Sequence, residues 1–139
     1  MQYGDKNNIY ISEINYECYF CGNCWKIVYE GKATNIDMNN FYGYPFYIIF
    51  ENIETASQQL TMLINKNNIL LPDIFPIELI LKDIIDHHQG YWLNVCLYFI
   101  IKMECLNSNM IQLLSTTQNN KKFSQELRHK IRKAILINN

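Results

Sequence analysis

Three features of this 139-residue sequence predict an α+β fold with its strands first. The first is period-2 alternation on both sides of Gly22-Asn23, the pattern of an N-terminal antiparallel β-hairpin or sheet. The second is a switch to helical spacing near Thr55, which opens a C-terminal helical half. The third is an apolar share of 49%, with 14% aromatics, enough to bury a core and too much for a chain disordered throughout. The length suits one domain over 1–139, mainly β in 1–53 and mainly α in 54–139.

The hairpin at 16–29 is the best-specified element. Gly-Asn makes a two-residue turn of type II′ or I′. With Gly22-Asn23 as that turn, Cys21 faces Cys24, Phe20 faces Trp25, Cys18 faces Ile27 and Tyr16 faces Tyr29. The last three pairs share an apolar face. The opposite face holds Tyr19 with Lys26, Glu17 with Val28, and the two turn-flanking cysteines. Residues 9–14 read as an extension of the first strand. Residues 31–45 are rich in turn formers, and the apolar, aromatic run at 46–51 reads as a third main strand.

Helical spacing begins at 55–66, where Ala56, Leu60, Leu63 and Ile64 form a stripe. Thr55 and Gln58 have capping-box spacing, and Asn67-Asn68 suit the helix end. From Asp73 onward Ile77, Ile80, Leu81, Ile84 and Ile85 form a core stripe behind Pro76, with Gln89-Gly90 as its stop. Residues 91–105 are apolar nearly all round, as in a central buried helix, with a long strand as the alternative. A shorter helix follows at 109–116. The last, at 123–137, carries Phe123, Leu127, Ile131, Ala134 and Ile135 on its inner stripe. Residues 73–137 also resemble a short HEAT-like helix stack of two antiparallel pairs.

Charge narrows the function classes. Charged residues make up 18% and the net charge is −1, which excludes a histone-like or tail-like nucleic-acid binder. The distribution is uneven. Residues 121–139 carry six basic residues against Glu126 alone, a balance of +5, while residues 1–120 carry six against twelve acidic ones, a balance of −6. The first residues have no apolar segment of signal-peptide type, and the apolar stretch at 91–101, with Asn94 inside it, falls short of the ~20 residues of a bilayer span. Five cysteines, an odd number without an export signal, favour a reduced, cytosolic protein.

Four groups of residues merit weighing as sites. Cys18, Cys21 and Cys24 have the C-x2-C spacing of a zinc knuckle, with Cys96, Cys105, His87 or His88 as a fourth ligand. The hairpin register turns Cys18 to the opposite face from the other two, so small, inert side chains are expected there and no metal or other cofactor. Asp86-His87-His88 offers a base–carboxylate pair, but at a helix C-terminus imidazoles are favoured by the dipole alone. Nucleophile-elbow, P-loop, zinc-protease and dinucleotide motifs do not occur, so no catalytic residue and no enzymatic activity is expected. Lys121, Lys122, Arg128, His129, Arg132 and Lys133 form a basic helix face that is either solvated or in contact with phosphates. Tyr42, Tyr44 and Tyr47, beside Asp37, Glu51 and Glu54, are the expected partner-binding surface, because tyrosine gives large contact area at low entropy cost.

Strands before helices, an acidic body, no catalytic motif and an Ile- and Asn-rich composition (21 and 18 residues) make a recognisable type. The chain resembles the immunity proteins of bacterial contact-dependent inhibition and other polymorphic toxin systems. The resemblance lies in this overall type and carries no residue roles across. It implies a cytoplasmic, non-membrane inhibitor that binds one cognate toxin domain, of nuclease type, and blocks its active site. The alternative is a nucleic-acid-binding or regulatory module of phage or mobile-element origin that works through the basic last helix.

Overall fold

The computed structural model describes residues 7–137; the reading of the first six residues as free of a signal segment lies outside them. Four antiparallel strands, β1 (Asn8–Ile11), β2 (Tyr16–Phe20), β3 (Cys24–Tyr29) and β4 (Lys32–Asp37), form a meander in the order β1-β2-β3-β4. Six helices follow: α1 (Tyr47–Glu51), α2 (Ile53–Asn67), α3 (Ile77–Asp86), α4 (Gly90–Lys102), α5 (Ser108–Thr117) and α6 (Gln125–Ile137). The fold is α+β. The chain divides into two compact units, Met1–Ile77 and Glu78–Asn139.

In the first unit the hairpin register is the one the alternation dictates. Tyr16 pairs with Tyr29, Cys18 with Ile27 and Phe20 with Trp25. Tyr16, Cys18, Phe20, Trp25 and Ile27 are buried, joined by Ile9, Ile11 and Ile36 from the flanking strands. The turn takes its positive φ at Gly22 (86°) and not at Asn23, the type II′ pattern. Gln59 of α2 covers part of the β1 edge: its side-chain amide accepts from Tyr10 N and donates to Tyr10 O, both at 2.7 Å. An edge strand is thereby partly satisfied by a side chain in place of a neighbour strand.

Several sequence expectations need correction here. Residues 9–14 are not one strand: the chain leaves β1 at Ile11, turns through a short 3-10 segment, and reverses at Asn15 (φ 51°) into β2. The turn-rich stretch 31–45 contains strand β4, entered through Glu30 and Gly31, both at positive φ. Only Ile36 of β4 is buried, so the strand shows no alternation to read. The run at 46–51 is helix. Pro45 lies in a 3-10 turn at Tyr44–Phe46 that leads straight into α1, and a short apolar run does not discriminate helix from strand. Helix therefore begins well before residue 54. The Thr55/Gln58 capping box does not form, because α2 starts at Ile53 behind Asn52, which caps without a side-chain bond.

The second unit is helical. Leu93, Cys96, Leu97, Phe99 and Ile100 of α4 are buried with Met110 and Leu114 of α5 and Leu127, Ile131, Ala134 and Ile135 of α6. The helix alternative for 91–105 is thus the one adopted. Asn107 caps α5 by accepting from Met110 N at 2.9 Å, and its amide donates to the Glu78 carboxylate at 3.0 Å. The stop after α3 is His88 in the left-handed conformation (φ 53°); Gly90 opens α4 and does not end α3. The four helices run 10, 13, 10 and 13 residues, and α6 packs on both α5 and α4. Among the described residues no helix is long and apolar enough to cross a membrane.

Candidate partner-binding surface

The segment from the end of β4 to the start of α2 holds all six residues singled out for partner binding. Its base is an aromatic cluster. Trp25 meets Phe41 edge-on at 6.2 Å between ring centroids and Phe46 at 6.1 Å, while Phe41 and Phe46 stack at 6.0 Å. Phe75 meets Phe46 at 5.8 Å and Phe20 at 6.1 Å. Trp25 also donates its indole N–H to Ile74 O at 2.9 Å, and Tyr16 donates its hydroxyl to Pro45 O at 2.8 Å. An otherwise irregular segment is thus moored to the sheet by packing and by the Tyr16–Pro45 hydrogen bond, while the Trp25 indole ties the same sheet face to the chain at Ile74.

On that base the tyrosines divide. Tyr44 is 74% exposed and Tyr42 44%, whereas Tyr47 is 3% exposed. Tyr47 meets the Tyr44 ring at 5.8 Å and stacks on Phe50 at 6.4 Å, so it forms the floor under Tyr44. Met38, 55% exposed, stands in the same segment and was not foreseen from sequence. The only signal for it was its place in a polar tight turn.

The acids divide as well. Asp37 is committed to that turn: its Oδ1 accepts from Asn39 N at 2.8 Å and Asn40 N at 3.1 Å, and Asn40 Oδ1 accepts from Asp37 N at 2.7 Å. Such local carboxylate-to-backbone bonds define an Asx turn. Glu51 ends α1 and Glu54 lies in the first turn of α2, where a negative charge favours the helix; both are exposed. Met1–Ile77 carries four basic and eight acidic residues, a balance of −4, and Glu78–Asn139 eight and five, a balance of +3.

The other candidates disperse. Cys21 and Cys24 are joined as a disulfide across the hairpin turn, so the expectation of five reduced thiols does not hold; Cys18, Cys96 and Cys105 are free. Cys18 lies on the buried sheet face, and among the described residues no three His, Cys, Asp or Glu side chains gather as a metal site. Burial pushes the Cys18 and Cys96 thiols far above their ordinary range and Cys105 up to about 12, the opposite of a reactive thiolate. Asp86 pairs with Lys82 at 2.7 Å, while His87 turns its Nδ1 to Asp83, at 2.8 Å from the carbonyl and 3.3 Å from the carboxylate. His88 packs on Phe123 at 6.0 Å. Of the basic group, Arg128 donates to Phe123 O at 3.3 Å and Arg132 to Gln118 O at 3.2 Å; His129, Lys130 and Lys133 are its exposed members on α6, while Lys121 and Lys122 are exposed in the turn before the helix and not on its face. Compared with known protein families, curated proteins and solved structures, the chain has no match.

Proposed function

We propose that this chain is a cytosolic inhibitor of immunity-protein type, which binds a cognate toxin domain of nuclease type and covers its active site. The observation that carries the reading is the Tyr44 ring, 74% exposed on a buried Tyr47 floor within a unit of net charge −4. A rigidly backed aromatic side chain loses little entropy on docking, which is how interface anchors act. Acidic surroundings suit a partner that itself binds nucleic acid and is therefore basic. Such a surface also raises the association rate, which an inhibitor needs if it is to act before the toxin does.

In this reading Tyr42, Tyr44 and Met38 make the contact, Glu51 and Glu54 steer the approach, and Tyr47 and Asp37 hold the segment in shape. No catalytic step is assigned to the chain. Co-expression with nuclease-type toxin domains, taken first from any gene adjacent to its own, tests the proposal. Restored growth and a stoichiometric complex on gel filtration, both lost with Tyr44→Asp, are the expected results. Growth arrest despite abundant folded protein, or tight binding of bare RNA or DNA by the chain alone, defeats it.

A further inference from the structure

The apolar surround of α4 is not fully buried. Tyr98 and Ile101 are 53% and 49% exposed, and Ile137 on α6 is 71% exposed. These side chains border a groove of about 350 Å³ within the second unit. Its α4 wall is Asn94, Leu97, Tyr98 and Ile101, and its α6 wall is Lys130, Lys133, Ala134 and Ile137. Each wall is a row at i, i+3, i+4 and i+7, one continuous helical face about 10 Å long. Two such rows side by side leave between them the seat of a third helix, the geometry of helix-in-groove recognition. The charge at this seat has one sign. Lys130 and Lys133 are both exposed, Lys130 closing one end by donating to Asn94 Oδ1 at 3.1 Å, and no acidic residue is in the lining.

We propose that the α4–α6 groove docks a short amphipathic helix of a partner protein, with an apolar stripe for Leu97, Tyr98, Ile101 and Ile137 and acidic flanks for Lys130 and Lys133. The groove is open and elongated, unlike the enclosed pockets that bury most of a small ligand. Its apolar floor between the two lysines suits leucine-like side chains and not a phosphate chain. The proposal does not depend on the inhibitor reading, because it concerns a different unit and a partner segment of opposite charge.

The probe is a fluorescein-labelled synthetic helix of about 16 residues with leucines along one face and glutamates on both flanks, long enough to hold some helix in water. The control carries lysines in place of the glutamates. Fluorescence anisotropy with the full chain is expected to show saturable binding of the acidic peptide and at least about tenfold weaker binding of the basic one. Ile101→Glu removes binding, and Lys130→Glu with Lys133→Glu reverses the preference, while circular dichroism stays that of the parent chain. Equal binding of the two peptides, or none of the acidic one, overturns the proposal. So does 1:1 binding of laurate without peptide binding, which marks a site for a free anionic amphiphile. Concentration-dependent dimerisation that Ile101→Glu abolishes also overturns it, since a second copy then covers the groove. The toxin co-expression result moves with Tyr44→Asp and not with Ile101→Glu, so the two readings fail separately.

Discussion

The surface segment of the first unit and the α4–α6 groove of the second are both apolar features left open to water, but they are built in opposite ways. The first is an exposed aromatic display: Tyr44 stands out on Tyr47, in an acidic unit, and the irregular segment is held by the Trp25 cluster. The second is a concave gap between regular helices, rimmed by Lys130 and Lys133. The contrast separates two sources of precision. A display on a loop needs a buried mooring and strong local turns. A groove between helices needs only that two core stripes be narrower than the apolar surface of the helices carrying them. The first is therefore sensitive to interior mutations, the second to its own rim.

The largest expected effect tests that sensitivity. Trp25→Ala removes a core aromatic that also anchors Ile74 and supports Phe41 and Phe46, and should cost about 3–5 kcal/mol in urea unfolding. A loss below about 1 kcal/mol would mean that the segment is not moored as described. The floor and the display should then separate. Tyr47→Ala is expected to cost about 3 kcal/mol, whereas Tyr44→Ala, at a site 74% exposed, should stay within about 0.5 kcal/mol. Equal costs would erase the distinction between support and contact.

Alkaline pH probes both units through their buried acids. Tyr16 and Cys18 in the first unit, and Cys96 and Cys105 in the second, have pKa values raised by burial as the main cause. The folded chain keeps these protons when the unfolded chain releases them. Stability is thus full below an ordinary thiol pKa of about 8.5 and falls as pH rises through it, by up to about 1.4 kcal/mol per pH unit for each thiol, with Tyr16 adding to the fall only above about pH 10. Thermal melts between about pH 7 and pH 10 should show that decline, and a flat profile would contradict the burial of these groups. A modest effect is expected at the hairpin tip. The Cys21–Cys24 bond spans a separation of only three residues, and Cys21 N already donates to Cys24 O at 3.1 Å. The double change Cys21→Ser and Cys24→Ser should cost about 2 kcal/mol or less by equilibrium unfolding.

The legible and illegible parts of the fold follow from how much of each element faces the core. The register at Phe20–Trp25 and the α6 stripe from Leu127 to Ile135 could be read because alternation or helical spacing recurs over many residues. Strand β4 could not, since a single buried residue, Ile36, has no period. The run at 46–51 misleads because every side chain in it but Ile48 and Glu51 is buried, which hides the helical spacing. At the candidate surface, composition singled out the segment but not which of its side chains are exposed and which are buried. Tyr42, Tyr44 and Tyr47 look alike in sequence, and only the 3-10 turn at Pro45 decides that Tyr47 points inward. Asp37 reads in sequence both as a turn former and as a surface charge, and only its bonds to Asn39 N and Asn40 N decide for the turn; the near-continuous apolar character of 91–101 concealed that one row of α4 stays open.

Asp37 also shapes the decisive experiment, because reversing its charge would open the turn as well as alter the field. The acids to reverse are therefore Glu51 and Glu54. The measurement is the association rate constant of the chain with the toxin domain proposed as its partner, followed by stopped flow from about 0.02 M to about 0.5 M salt. Charge-steered binding through the acidic unit predicts a fall of at least about tenfold over that range, and a slower, flatter dependence for Glu51→Lys with Glu54→Lys. An association rate that ignores both salt and the two reversals would contradict the account.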